Sequence, residues 1–159
     1  MKLDRPKVAP AAVELHQKMY SAFAEGDLQK LKEICTEGIH DSFRARIGGR
    51  KRLERVKWEL LKYNKSAKVV SDRMARLPGP GGIAMRQAVV RISSQQRVTR
   101  FVGGMQVKGT GVKKDVVEYV VVQSKVEKWK PGGWKVWGTT RETTLKDCEL
   151  WQRVAKGDT

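Results

Sequence analysis

Apolar residues recur at helical spacing through the first quarter of the chain and alternate with polar ones thereafter. Ala12, Leu15, Met19, Ala22 and Phe23 form one stripe, which predicts a helix over 11–25 after Pro10. Gly26 suits a left-handed helix end, and Asp27 suits the cap of the next helix. Leu28, Leu31, Ile34 and Cys35 continue the spacing up to Gly38. A third short helix is expected over 39–47, with Phe43 and Ile47 on one side and Gly48-Gly49 as its break.

Beyond Gly49 the period shortens to two. Strands are expected over 58–63, 67–77, 83–99, 116–129 and 134–139. In the third of these Ala88, Val90 and Ile92 face one way with Arg86 in phase, while Val89, Arg91 and Ser93 face the other. Pro78 to Gly82 and Pro131-Gly132-Gly133 mark turns, and the glycines between 103 and 111 mark a flexible hairpin. Helices first and a strand meander afterwards make an α+β domain, its N-terminal helices packed on one face of an antiparallel sheet. A closing helix is expected over 145–154. The pattern divides the chain into a tail (1–11), one domain (12–140) and a C-terminal segment (141–159), with no internal repeat.

Length agrees with one domain: 159 residues and 18.0 kDa can bury a real core. No apolar run approaches the ~18 residues of a membrane span, so a membrane, if it matters, is met from its surface. Charge changes the picture most. The net charge is +16, and it is regional. Residues 11–43 carry three basic and six acidic side chains, residues 44–68 carry ten and two, and residues 69–115 carry nine and two. Such a field draws the domain to a polyanion, nucleic acid or anionic lipid.

The run Arg44, Arg46, Arg50, Lys51, Arg52, Arg55, Lys57 is the candidate phosphate-binding site. Guanidinium forks and ammonium groups neutralise phosphates and release counterions. The loop from Phe101 to Asp115 sets Phe101 and Met105 beside Lys108, Lys113 and Lys114, a composition suited to an anionic lipid interface or a partner protein. Five tryptophans are many for this length, and their positions in strands favour burial over base stacking. His16 and His40 are the only histidines and are expected in surface or helix-end roles. Cys35 and Cys148 are expected as free thiols, since neither has a ligand-spaced partner. Nucleophile elbow, phosphate-loop glycines and metal-ligand cluster are all missing from the sequence. The chain is therefore expected to be no enzyme and to need no cofactor, metal or small-molecule substrate.

Several strings in order carry a family resemblance. They are Ala24-Glu25-Gly26-Asp27-Leu28 through Leu31, Trp58-Glu59-Leu60, and Gln87 to Ile92 with Ser94-Gln95-Gln96. Val117 to Gln123 and Trp134 to Thr139 complete the set. Together they resemble the Tim-forty-four-like domain family, closest to its branch of mitochondrial large-ribosomal-subunit proteins and membrane-associated ribosome receptors. The resemblance implies a cone-shaped fold like that of nuclear transport factor two and a place in the mitochondrial matrix, peripheral to the inner membrane. It implies as partners rRNA, neighbouring large-subunit proteins, and inner-membrane lipid or an insertase. The expected role is to tether translating ribosomes near the exit tunnel for co-translational insertion. Arg44 to Lys57 would meet rRNA, and a separate face including the 101–115 loop would meet the membrane. The alternative is a peripheral scaffold of the protein-import machinery that binds anionic lipid.

Overall fold

The computed structural model describes residues 5–79, 81–127 and 130–141. One 3-10 turn, Arg5–Lys7, leads into α1 (Val8–Glu25), α2 (Leu28–Ile34) and α3 (Glu37–Gly48). Six strands follow: β1 (Glu54–Tyr63), β2 (Lys68–Arg76), β3 (Ile83–Val102), β4 (Met105–Gln106), β5 (Lys113–Glu127) and β6 (Lys130–Arg141). The expected fold class is the one found. The helix expected over 145–154, with Cys148 and Trp151, lies outside the described residues, as does Trp129.

Local chemistry sets the helix ends. Pro10 is tolerated inside the first turn of α1, where its missing N–H has no intrahelical acceptor. Gly26 adopts φ 75°, and its N–H closes on the Ala22 and Phe23 carbonyls. The Asp27 carboxylate then accepts the Lys30 N–H at 3.1 Å. The helix expected to start at Ile39 begins two residues earlier, so Gly38 lies inside α3 and not between helices.

At 20 residues β3 is the spine of the sheet. It is long enough for β1 and β2 to pair end to end along one of its edges, while β5 pairs along the other and β6 lies outside β5. Every strand pairing is antiparallel. One face carries Ala88, Val90, Ile92, Val120, Val122 and Val136 against Ala12, Met19, Ala22, Leu31 and Phe43 of the helices. The α2–α3 junction is fastened to β6, where the Thr36 N–H donates to the Val136 carbonyl at 2.9 Å. Cys35, beside that junction, is a buried free thiol, pushed up to about 11 by burial.

Two ion pairs are buried on the inner face, although His16 Nδ1 has no hydrogen-bond partner among the described residues. Arg86, in phase with the apolar positions, forks onto Asp72 at 2.9 and 2.7 Å under the Trp134 ring. His16 departs from its expected surface role: it has no exposed area, and its Nε2 lies 2.7 Å from Glu118 Oε2, also fully buried. Position 16 follows Leu15 on the packed side of α1, and Glu118 is in phase with Val120 and Val122. The two meet because α1 crosses β5, a contact between residues 102 apart.

Candidate functional site

The basic run divides into three parts. Arg44 and Arg46 lie on α3, both exposed, and the Arg46 guanidinium stacks 4.5 Å from the Phe23 ring centroid. Arg50 turns inward. Its guanidinium donates to the Ala24 and Phe23 carbonyls and lies over Phe23, so it closes the C-terminal end of α1. Burial lowers its pKa from the usual arginine range, and neighbouring Glu54 opposes the shift. Arg50→Ala is expected to cost about 2 kcal/mol of stability, since charged hydrogen bonds are lost. Arg50→Lys should recover little of it, because a point charge cannot replace the fork; urea unfolding of both variants checks this.

Lys51, Arg52, Arg55 and Lys57 remain exposed along the turn into β1. Their nearest acid is drawn away from them. The Glu54 carboxylate accepts from the Arg100 guanidinium and the Lys51 N–H, and these bonds hold its pKa below the usual carboxylate range. The cations therefore face solvent with little local neutralisation, apart from Lys57, whose Nζ is 3.4 Å from Glu59.

The 101–115 segment is a hairpin, as expected, and it is held by its own hydrogen bonds. Its bonds run from the Val107 N–H to the Arg100 carbonyl (2.8 Å), the Thr110 hydroxyl to the Val107 carbonyl (2.7 Å) and the Gly111 N–H to the Val98 carbonyl (2.9 Å). Met105 stands 77% exposed beyond the Gly103-Gly104 turn, and Lys108 is exposed on the same hairpin; Lys113 and Lys114, also exposed, pair with Arg97 and Gln96 farther along β3. Phe101 is half-buried.

The second half of the basic run adjoins the start of the 101–115 segment. Arg55 lies opposite Phe101 in the β1–β3 register, and the Gly103 N–H donates to the Leu53 carbonyl. The turn before β1 and the 101–104 turn thus form one end of the sheet. Leu53, Arg55, Val56, Lys57, Phe101, Gly103 and Gly104 line an open cleft of about 690 Å³ there. Sequence reasoning missed Leu53, which is 71% exposed and held at φ 64°. A left-handed non-glycine residue presenting an apolar side chain to water points to a surface role. Its one signal was a lone leucine within Arg50 to Arg55.

Buried His16 and Glu118 are an imidazole and a carboxylate, the groups acid–base chemistry would use. Neither has exposed area, and neither lines the three clefts formed by Leu53 to Gly104, Val13 to Ala67 and Gln96 to Val116. Among the described residues no three His, Cys, Asp or Glu side chains are grouped as metal ligands, and no helix is long and apolar enough to cross a membrane.

Exposed cations and exposed Leu53 and Met105 thus lie at one end of a helix-backed open sheet. The chain belongs to the MBA1-like protein family, whose profile matches residues 2–152. The uncharacterized protein C13G7.11 of Schizosaccharomyces pombe is 30% identical over 137 residues, which is 84% of this chain and 46% of that protein. This chain thus spans about half the length of that relative. The crystal structure of the intermembrane space region of chloroplast protein ARC6 aligns with 91% of this chain and 100% of its own, at a TM-score of 0.48 and 14% identity.

Proposed function

We propose that the protein is a receptor for the large subunit of the mitochondrial ribosome, working in the matrix at the surface of the inner membrane. It holds the polypeptide exit close to the bilayer, so that nascent proteins insert as they emerge. One observation carries this reading within an MBA1-like protein: exposed Arg44, Lys51, Arg52, Arg55 and Lys57 follow one ridge whose nearest carboxylate, Glu54, is engaged by Arg100. Such a ridge neutralises rRNA phosphates. Arg50 is removed from the contact set by its inward bonds, and Arg46 keeps its charge accessible while stacked. The test is co-sedimentation with purified mitochondrial large subunits, comparing the parent with a Lys51→Gln, Arg52→Gln, Arg55→Gln variant.

The bilayer contact in this reading is the adjoining tip, Leu53, Phe101 and Met105, with Lys108 on the same hairpin and Lys113 and Lys114 farther along it. Ribosome and membrane would then meet neighbouring surfaces, which places the domain as a wedge in the gap between them. Leu53→Gly separates strain from contact. It should raise stability by up to about 1 kcal/mol, because glycine adopts positive φ freely. The same change should weaken flotation with cardiolipin-containing vesicles. A stability gain with undiminished flotation would remove Leu53 from the membrane contact.

The exposed apolar tip among lysines also favours the second reading, a lipid-bound scaffold of the import machinery. Flotation on anionic vesicles without any co-sedimentation with ribosomes would select it. Salt sensitivity would not discriminate, since both attractions are electrostatic.

A further inference from the structure

The sheet face turned away from the helices carries a feature that neither the ridge nor the tip uses. Trp137 is 52% exposed on β6, against the expectation that the strand tryptophans are buried. Its position has a local cause. Val122 lies opposite Val136, but Val121 lies opposite Gly138, so β6 has one extra residue at 137. Such a bulge re-aims a side chain, and here it sets Trp137 beside Val121 on the outer face while Val136 stays buried. Gly138 leaves the neighbouring space open, since a side chain there would meet nothing within 4 Å.

The register places a row of cations to one side of this ring, starting at Lys135 two residues away. Arg73, Gln87, Gln123 and Lys135 form one row across the sheet from β2 to β6. Lys125 flanks that row on one side, and Arg91 opposite Tyr119 flanks it on the other. Arg73, Lys125 and Lys135 are exposed. Among the described residues the one carboxylate on this half of the outer face is Glu127 at its margin, 2.9 Å from Lys125. From Arg73 to Lys135 the row crosses three strand spacings, roughly 14 Å.

We propose that this outer face is a binding platform for unpaired RNA. A base stacks on the Trp137 indole, and the phosphates of the strand running on across the sheet meet Lys135, Lys125 and Arg73. Stacking requires a base free of its duplex, so the ligand class is single-stranded RNA and not A-form helix. A bilayer fits less well. The ring lies on a flat face beside cations, whereas lipid insertion suits a protruding tip such as Leu53 and Met105.

The experiment measures fluorescence anisotropy of a short labelled single-stranded RNA and of its duplex, with the whole chain and no ribosome. Trp137→Ala should weaken single-strand binding roughly tenfold or more, and leave duplex binding unchanged. Trp137→Phe, which keeps an aromatic face and guards against misfolding, should retain most of the affinity. Arg73→Gln with Lys135→Gln should reduce the logarithmic salt slope for the single strand by about 1.4. The platform is overturned if Trp137→Ala binds the single strand like the parent, or loses single strand and duplex equally. It is also overturned if that variant loses only flotation on anionic vesicles. None of these outcomes bears on the large-subunit reading, which rests on Lys51 to Lys57 and on co-sedimentation.

Discussion

His16→Leu is expected to lower folding stability by about 3 kcal/mol or more, the loss seen when one partner of a buried ionisable pair is removed. The Glu118 carboxylate would stay buried under α1 without the imidazole 2.7 Å away. Its other oxygen accepts from the Tyr20 hydroxyl at 3.1 Å and, at 3.4 Å, from the Gln96 amide. Gln96 in turn accepts the Trp58 indole N–H at 3.0 Å, and Trp58 stacks on Tyr20 with centroids 5.4 Å apart. This network ties α1 to β1, β3 and β5, so its failure should loosen the helix layer as a whole. His16→Leu combined with Glu118→Leu should recover most of the loss, because an apolar pair leaves no charge stranded. Urea unfolding of the singles and the double reads the coupling directly. If the single variant unfolds at the parental midpoint, the network does not hold the layers together.

The second large effect concerns the ridge. Each phosphate contact contributes about 0.9 to the logarithmic salt slope with duplex nucleic acid, worth roughly fivefold in affinity near 0.15 M salt. Changing Lys51, Arg52 and Arg55 to glutamine should therefore weaken large-subunit binding on the order of 10²-fold and flatten the slope by about 3. All three side chains are exposed, and none donates a side-chain bond to Glu54, so folding should be unaffected. Arg50→Ala is the contrasting case, losing stability through the end of α1. Equal affinity of parent and triple variant would move the contact elsewhere on the domain.

Much of the fold was legible because its signals are local. Gly26-Asp27 separates α1 from α2 as read, and strict alternation located β3 and β5. The start of β1 was not legible. Glu54, Arg55 and Lys57 are charged around a lone Val56, so no apolar alternation marks them, and their strand character comes from pairing with Thr99 to Val102. The exposed cations were readable from composition, but the turning of Arg50 depends on carbonyls 26 and 27 residues away. Long-range register also joined the two expected surfaces, through Arg55 opposite Phe101. The His16–Glu118 pair left one trace, a glutamate in phase with core valines. Trp137 left a trace as well, being in phase with Lys135 and out of phase with Val136, which is buried.

The central claim, that this domain docks on the large subunit through Lys51 to Lys57, is most directly tested by sedimentation with separated mitochondrial ribosomal subunits. The account predicts that the parent protein pellets with large subunits and not with small ones, and that the Lys51→Gln, Arg52→Gln, Arg55→Gln variant stays in the supernatant at about 0.15 M salt. Equal pelleting with both subunits, or pelleting that the triple variant retains, would contradict it.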